Sequence, residues 1–189
     1  MIIKISFGKW EMAMAQGNAI KEWVKTIIIS IIIAFIITTF IRPTLVKGYS
    51  MFPTINEYDY LIINRIPYIS DDPDYGDIVV FKTNQLTIDG SEKDLIKRVI
   101  GLPGDIIKIE KGIVYRNEKA LEEPYIYGGT TPGELEPTVV EEGKLFVMGD
   151  NRCNSLDSRD ERVGEVSMSS IQGKVIVRLF PFNKMGTVE

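Results

Sequence analysis

The 189 residues are 44% hydrophobic and 25% charged, carry a net charge of −4, and include one cysteine and no histidine. That is enough chain for one domain with an appended segment, and too ordinary a composition for a disordered or low-complexity protein. Without histidine or a cysteine cluster a zinc site would have to rest on carboxylates, no metal or other cofactor is expected, and Cys153 cannot form an internal disulfide.

The charge is unevenly spread. Residues 1–47 hold six Lys/Arg against Glu11 and Glu22, so the rest of the chain sums to −8. A body with that balance repels phosphate backbones, which argues against a nucleic-acid partner.

Residues 1–20 carry no sharp signal. Between Lys25 and Arg42 run sixteen residues without a charge, T-I-I-I-S-I-I-I-A-F-I-I-T-T-F-I. A core helix of a soluble protein shows a polar stripe, and none is present here at any helical period. As a helix the run spans roughly 24 Å of a ~30 Å hydrocarbon layer, and Trp23, Val24 and the snorkelling side chains of Lys25 and Arg42 supply the remainder. Isolated Ile is a weak helix former in water, but in lipid every backbone group must pair within its own segment, which selects helix. The flank T-T-F-I-R-P lacks the small-residue site of a cleaved signal peptide. The chain therefore reads as a tail (1–22), an uncleaved membrane anchor (23–42) and a body (43–189). Lys4, Lys9, Lys21 and Lys25 precede the span, so the positive-inside tendency puts the N-terminus in the cytoplasm and the body outside.

The body reads as β structure. Short runs rich in β-branched residues fall at 59–64, 76–82, 93–100, 105–110, 112–116, 143–148 and 173–180, separated by Pro-Tyr, Asp-Asp-Pro-Asp, Pro-Gly-Asp and Lys-Gly turns. Residues 163–172 suggest a short helix, and 117–142, rich in Pro, Gly and Glu, an extended surface excursion. The expected fold is mostly β: an all-β sandwich or barrel-like sheet behind one transmembrane helix.

Just past the anchor, G-Y-S-M-F-P-T-I places Ser50 in a segment that Pro53 biases toward extended or turn-like backbone, with Gly48 permitting another backbone to approach closely. A serine hydroxyl needs a base to become a nucleophile, and histidine is unavailable. A lysine can serve only when neutral. At its ordinary pKa about one molecule in two thousand is neutral at pH 7, and raising that to about a tenth costs roughly 3 kcal/mol. Burial or like charge has to supply it.

In D-L-I-K-R-V-I, period-two alternation puts Leu95, Lys97 and Val99 on one face, so Lys97 lies between apolar neighbours. Lys82, at the end of another apolar strand, is the next candidate. Alternation alone also allows an edge lysine with a solvated amine, and Ser50 also reads as a plain polar loop residue.

Three segments together resemble the type I signal peptidases of bacteria and organelles: G-Y-S-M-F-P-T-I (48–55), K-R-V-I-G-L-P-G-D (97–105) and G-D-N-R-C-N-S-L-D-S-R (149–159), with G-D-I-V-V-F (76–81) as a fourth. The resemblance covers most of residues 20–180. It implies a membrane-bound serine endopeptidase with Ser50 as nucleophile and Lys97 as general base, Ser155 orienting the lysine amine, and Asp157 and Arg159 bracing the site. It further implies signal peptides of exported preproteins as substrate, cut after small residues at −1 and −3. Such a peptide would pair with the strand edge Asp94-Leu95-Ile96, with Met51 beside the nucleophile. The anchor would hold the cleft at the bilayer surface, in proximity to the export machinery.

Two positions depart from the family's pattern. Gly48 replaces a serine that assists the oxyanion in some members, leaving the Ser50 backbone N–H as the main donor. Cys153 replaces a customary aspartate and reads as a loop substitution without catalytic weight. Two alternatives remain at this level: a related Ser-Lys maturation peptidase of a conjugation system, and a catalytically inactive membrane-anchored binding module.

Overall fold

A computed structural model describes residues 4–65, 72–86 and 92–188. The expected Pro67-Tyr68 turn lies outside the described residues. The chain divides into two compact units, Met1–Phe40 and Ile41–Glu189.

The first unit is one helix, α1 (Lys4–Phe40), whose stretch Ile20–Phe40 is long and apolar enough to cross a membrane. Its 21 residues give about 31 Å of rise, close to the hydrocarbon thickness. The threonines inside it are compatible with lipid because their hydroxyls donate back into the helix. Thr26 Oγ1 reaches Glu22 O at 2.9 Å, Thr38 Oγ1 reaches Ala34 O at 2.9 Å and Thr39 Oγ1 reaches Phe35 O at 2.7 Å. The helix ends at Phe40, and Arg42 lies on a strand. Pro43 is the cause, because its ring disfavours helical backbone at the residue before it.

Among the described residues of the second unit the larger sheet has eight strands. In spatial order the main path is β1 (Ile41–Leu45), β2 (Tyr60–Asn64), β11 (Ile171–Phe180), β3 (Ile78–Leu86), β4 (Glu92–Gly101), β9 (Lys144–Met148) and β10 (Val166–Ser167). The short β12 (Gly186–Thr187) pairs with β11 off this path. Pro43 is tolerated because β1 is an edge strand, where a missing N–H costs no ladder bond. A second sheet of four strands runs β7 (Lys119–Ala120), β6 (Ile113–Arg116), β5 (Ile106–Glu110) and β8 (Leu135–Val139).

Strands lie where the β-branched runs predict them, but two readings of the intervening segments change. The excursion 117–142 is not simply surface loop, since it supplies β7 and β8 to the smaller sheet. Residues 163–172 form no α-helix: β10 is followed by a single 3₁₀ turn, Met168–Ser170. A segment carrying Gly164, three serines and few periodic apolar residues cannot bury a helical face, so pairing with β9 wins.

Three apolar clusters fill the body. One gathers Val46, Met51 and Ile55 from the loop after β1 against Leu61, Ile63, Ile78, Val80 and Val175. A second packs Val79, Phe81, Leu95, Val99, Leu145 and Val147. The third, between the smaller sheet and the ends of β4 and β9, holds Ile100, Ile107, Ile109, Val114, Phe146 and Met148. β4 touches all three through Ile96, Leu95/Val99 and Ile100, so a side chain on it is fixed from several directions.

Candidate active site

Ser50 sits at the start of a turn whose apolar residues are plugged into the first cluster. Met51 is 3% exposed and Ile55 is fully buried, and the Ile55 N–H closes the turn on Met51 O at 2.8 Å. Gly48 has φ +100°, a backbone angle that side chains with a Cβ rarely adopt, while a Cβ there would meet nothing within 4 Å. The reading of Gly48 as a point of close backbone approach is therefore corrected: the backbone angle, not crowding, requires glycine. Its N–H donates to Glu57 Oε1 at 3.2 Å, and the Glu57 carboxylate near the Tyr49 hydroxyl raises the Tyr49 phenol above its ordinary pKa.

Lys97 stands opposite Val79 on β4, between Leu95 and Val99. It is 1% exposed. Its Nζ lies 2.8 Å from Ser50 Oγ and donates to Ile96 O at 2.8 Å. Two residues 47 positions apart in the chain thus bring a hydroxyl and an amine within hydrogen-bond distance. Burial disfavours an ammonium relative to a neutral amine, and only the neutral form has a lone pair with which to accept the Ser50 proton.

The third motif closes the site from the end of β9. Gly149 has no room for a Cβ, because Ser155 and the Ser50 carbonyl both occupy that space. Its N–H donates to Asp157 Oδ2 at 3.0 Å, and Arg159 forks onto the same carboxylate at 2.9 Å through both Nε and Nη2. Burial pushes the Asp157 carboxyl up, but the Arg159 guanidinium, the Ser155 hydroxyl and the Gly149 N–H outweigh it and hold the group below its ordinary range. Ser155 Oγ is buried against Gly149 and, although close enough to Asp157 to affect its charge, completes no hydrogen bond of good geometry with any group among the described residues.

The expected substrate-side residues separate into two kinds. Met51 and Leu95 are buried in apolar clusters, so Leu95 can offer a peptide only its backbone. Asp94 is exposed, accepting from Gln172 Nε2 at 2.5 Å with Arg42 Nη2 at 3.6 Å, and Ile96 is half-buried. β9 joins β4 only from Arg98 onward, at Arg98↔Met148, while β3 pairs the segment 94–98 on the other side. Among the described residues no strand covers the remaining edge of Asp94–Lys97.

Several members of the site carry no local sequence signal. Arg98 forks onto Asp150 at 2.9 and 2.8 Å, both side chains almost fully buried. Asp150 also accepts from Thr54 Oγ1 at 2.5 Å, and Arg98 lies 4.0 Å over the Tyr125 ring. Arg152 is buried against Glu123 and Thr131 of the excursion, at 2.5 Å to each, and donates to Gly149 O at 3.1 Å. Asn151 reaches the nucleophile turn directly, its N–H donating to Ser50 O at 3.0 Å and its Nδ2 to Tyr49 O at 3.1 Å. Arg98 lies in the segment 97–105 and Asp150, Asn151 and Arg152 in 149–159, but their pairings are not legible there. No group of three or more metal-ligating side chains occurs among the described residues.

A hydroxyl and a buried lysine amine thus lie in contact beside a braced loop and an uncovered strand edge. The family described as signal peptidase, peptidase S26, matches residues 20–180, and the chain belongs to that family. It is 36% identical to a signal peptidase I of Bacillus licheniformis, covering 93% of this chain and 96% of that one. It is 34% identical to signal peptidase I T of Bacillus subtilis strain 168, over 92% of each. With a probable signal peptidase I-2 of Synechocystis it shares 38% identity over 89% of this chain and 77% of the other. A crystal structure of a signal peptidase I from Enterococcus faecalis V583 is 28% identical and covers 55% of this chain and 97% of that one, with a TM-score of 0.45. As a member of this family the chain is a hydrolase of the signal peptidase type.

Proposed function

We propose that the chain removes signal peptides from exported preproteins through a Ser50–Lys97 dyad, cutting after small residues at −1 and −3. The observation that carries the reading is the 2.8 Å separation of Lys97 Nζ and Ser50 Oγ, with the lysine walled in by apolar strands. Neutral Lys97 takes the Ser50 proton as Oγ attacks the scissile carbonyl. The resulting ammonium returns that proton to the leaving amine, which departs as the new N-terminus and leaves an acyl-enzyme on Ser50. Lys97 then deprotonates the water that hydrolyses the ester, and Ser50 recovers its proton. The family resemblance assigns Ser155 to orienting the lysine amine, a contact its buried Oγ does not make in this structure, while Asp157 and Arg159 fix the loop carrying Ser155. The oxyanion is held by the Ser50 N–H.

An extended peptide added to the uncovered edge of Asp94–Ile96 directs alternate side chains toward the enzyme, so the residues at −1 and −3 are read together. α1 spans the membrane with its N-terminus in the cytoplasm, and the body works on the outer face beside the lipid and the emerging preprotein.

The test is cleavage of a preprotein by the full chain in lipid vesicles, with the cut located by mass spectrometry. One cut after a small −1 residue is expected, lost when −1 or −3 is changed to Phe. Cleavage at scattered sites, or a cut indifferent to −1 and −3, would sink the substrate assignment.

A further inference from the structure

Asn151 precedes the 3₁₀ helix Arg152–Asn154, a place where an asparagine side chain ordinarily caps the helix. It makes no such cap. Instead its amide Nδ2 crosses 102 positions of chain to donate to Tyr49 O at 3.1 Å, while its own N–H donates to Ser50 O at 3.0 Å. Asn151 is 8% exposed, so these bonds are sheltered from water.

The Tyr49 carbonyl and the Ser50 N–H belong to one peptide unit. A trans peptide is planar and points its C=O and N–H in opposite directions, so fixing the oxygen fixes where the hydrogen aims. Within the turn the Phe52 N–H also donates to the Tyr49 carbonyl, at 3.2 Å, so the Asn151 amide is a second restraint on it, from outside the turn. Tyr49 is 54% exposed, and Gly48 before it carries the conformational freedom of glycine. A backbone donor contributes to catalysis only when it is aimed beforehand at the position of the developing oxyanion.

We propose that Asn151 is a positioning residue for the oxyanion donor: by holding the Tyr49 carbonyl it aims the Ser50 N–H, and through its own N–H it holds the following peptide. The inference rests on the Ser50–Lys97 reading above. Asn151→Ala removes the side-chain bond and leaves the backbone bond in place. Asn151→Asp keeps the shape but sets a carboxylate oxygen against the carbonyl, which turns the peptide away.

Single-turnover cleavage of a preprotein by the full chain in detergent tests it, with rates normalised to the folded fraction by circular dichroism and run beside Ser50→Ala. The expected rate constant for Asn151→Ala is roughly ten- to hundredfold below wild type, less than the loss of a whole oxyanion donor, and lower again for Asn151→Asp. KM should stay within about twofold, because the donor matters in the transition state and not in the bound substrate. Rate constants within twofold of wild type in both variants, with Ser50→Ala inactive, would overturn the role of Asn151 alone. Full cleavage by Ser50→Ala would remove the dyad and this inference with it.

Discussion

The two halves of the proposed dyad are held in opposite ways. Lys97 lies on a central strand, where hydrogen-bonded neighbours and three apolar clusters fix its backbone and leave its amine little freedom. Ser50 lies on a turn secured by apolar plugs beneath it, Met51 and Ile55, and by the third motif beside it through Asn151. The base is thus a product of the sheet, and the nucleophile a product of contacts between segments about a hundred residues apart. Damage near Lys97 should change the chemistry, whereas damage to the third motif should first loosen geometry.

The largest effect expected on the sheet side comes from Lys97→Arg. A guanidinium cannot deprotonate in a protein, so it cannot take the Ser50 proton, and kcat/KM should fall by about 10⁴-fold or more. In wild type kcat/KM should rise with pH as Lys97 loses its proton and fall as pH drops, a dependence that Lys97→Arg lacks; a flat wild-type profile with chemistry rate-limiting would contradict the base assignment. Between the two regions, Arg98→Met leaves the Asp150 carboxylate buried without its guanidinium, which should destabilise the fold by about 3–5 kcal/mol in thermal or urea unfolding. On the loop side, Ser155→Ala should slow cleavage by about tenfold with KM unchanged, if its hydroxyl serves only to orient the amine. At the smallest end, Cys153→Ser should leave rate and stability within experimental error, since the thiol is exposed.

This contrast also explains what the sequence makes legible. Strand alternation alone sorts Leu95, Lys97 and Val99 onto one face, and the structure pairs Lys97 with Val79 as that sorting requires. The apolar run of the anchor and the β-branched strands are equally local, and they lie where composition puts them. What fails to show is whatever depends on distant partners. β1 hides because Pro43 reads as a strand breaker until its edge position is known. β7 and β8 hide in the excursion because its Pro, Gly and Glu content masks two short pairings. Asn151 is the sharpest case. Nothing in its local sequence names a partner for its side chain, and only the folded chain sends its amide to Tyr49.

The dyad itself is tested most directly by comparing wild type, Ser50→Ala and Lys97→Ala in one preparation, on one preprotein, with the products weighed by mass spectrometry. Loss of the single cut in both variants, each folded as wild type, is the predicted result. Cleavage at the same bond by either variant would mean that the pair at 2.8 Å is not the catalytic machinery.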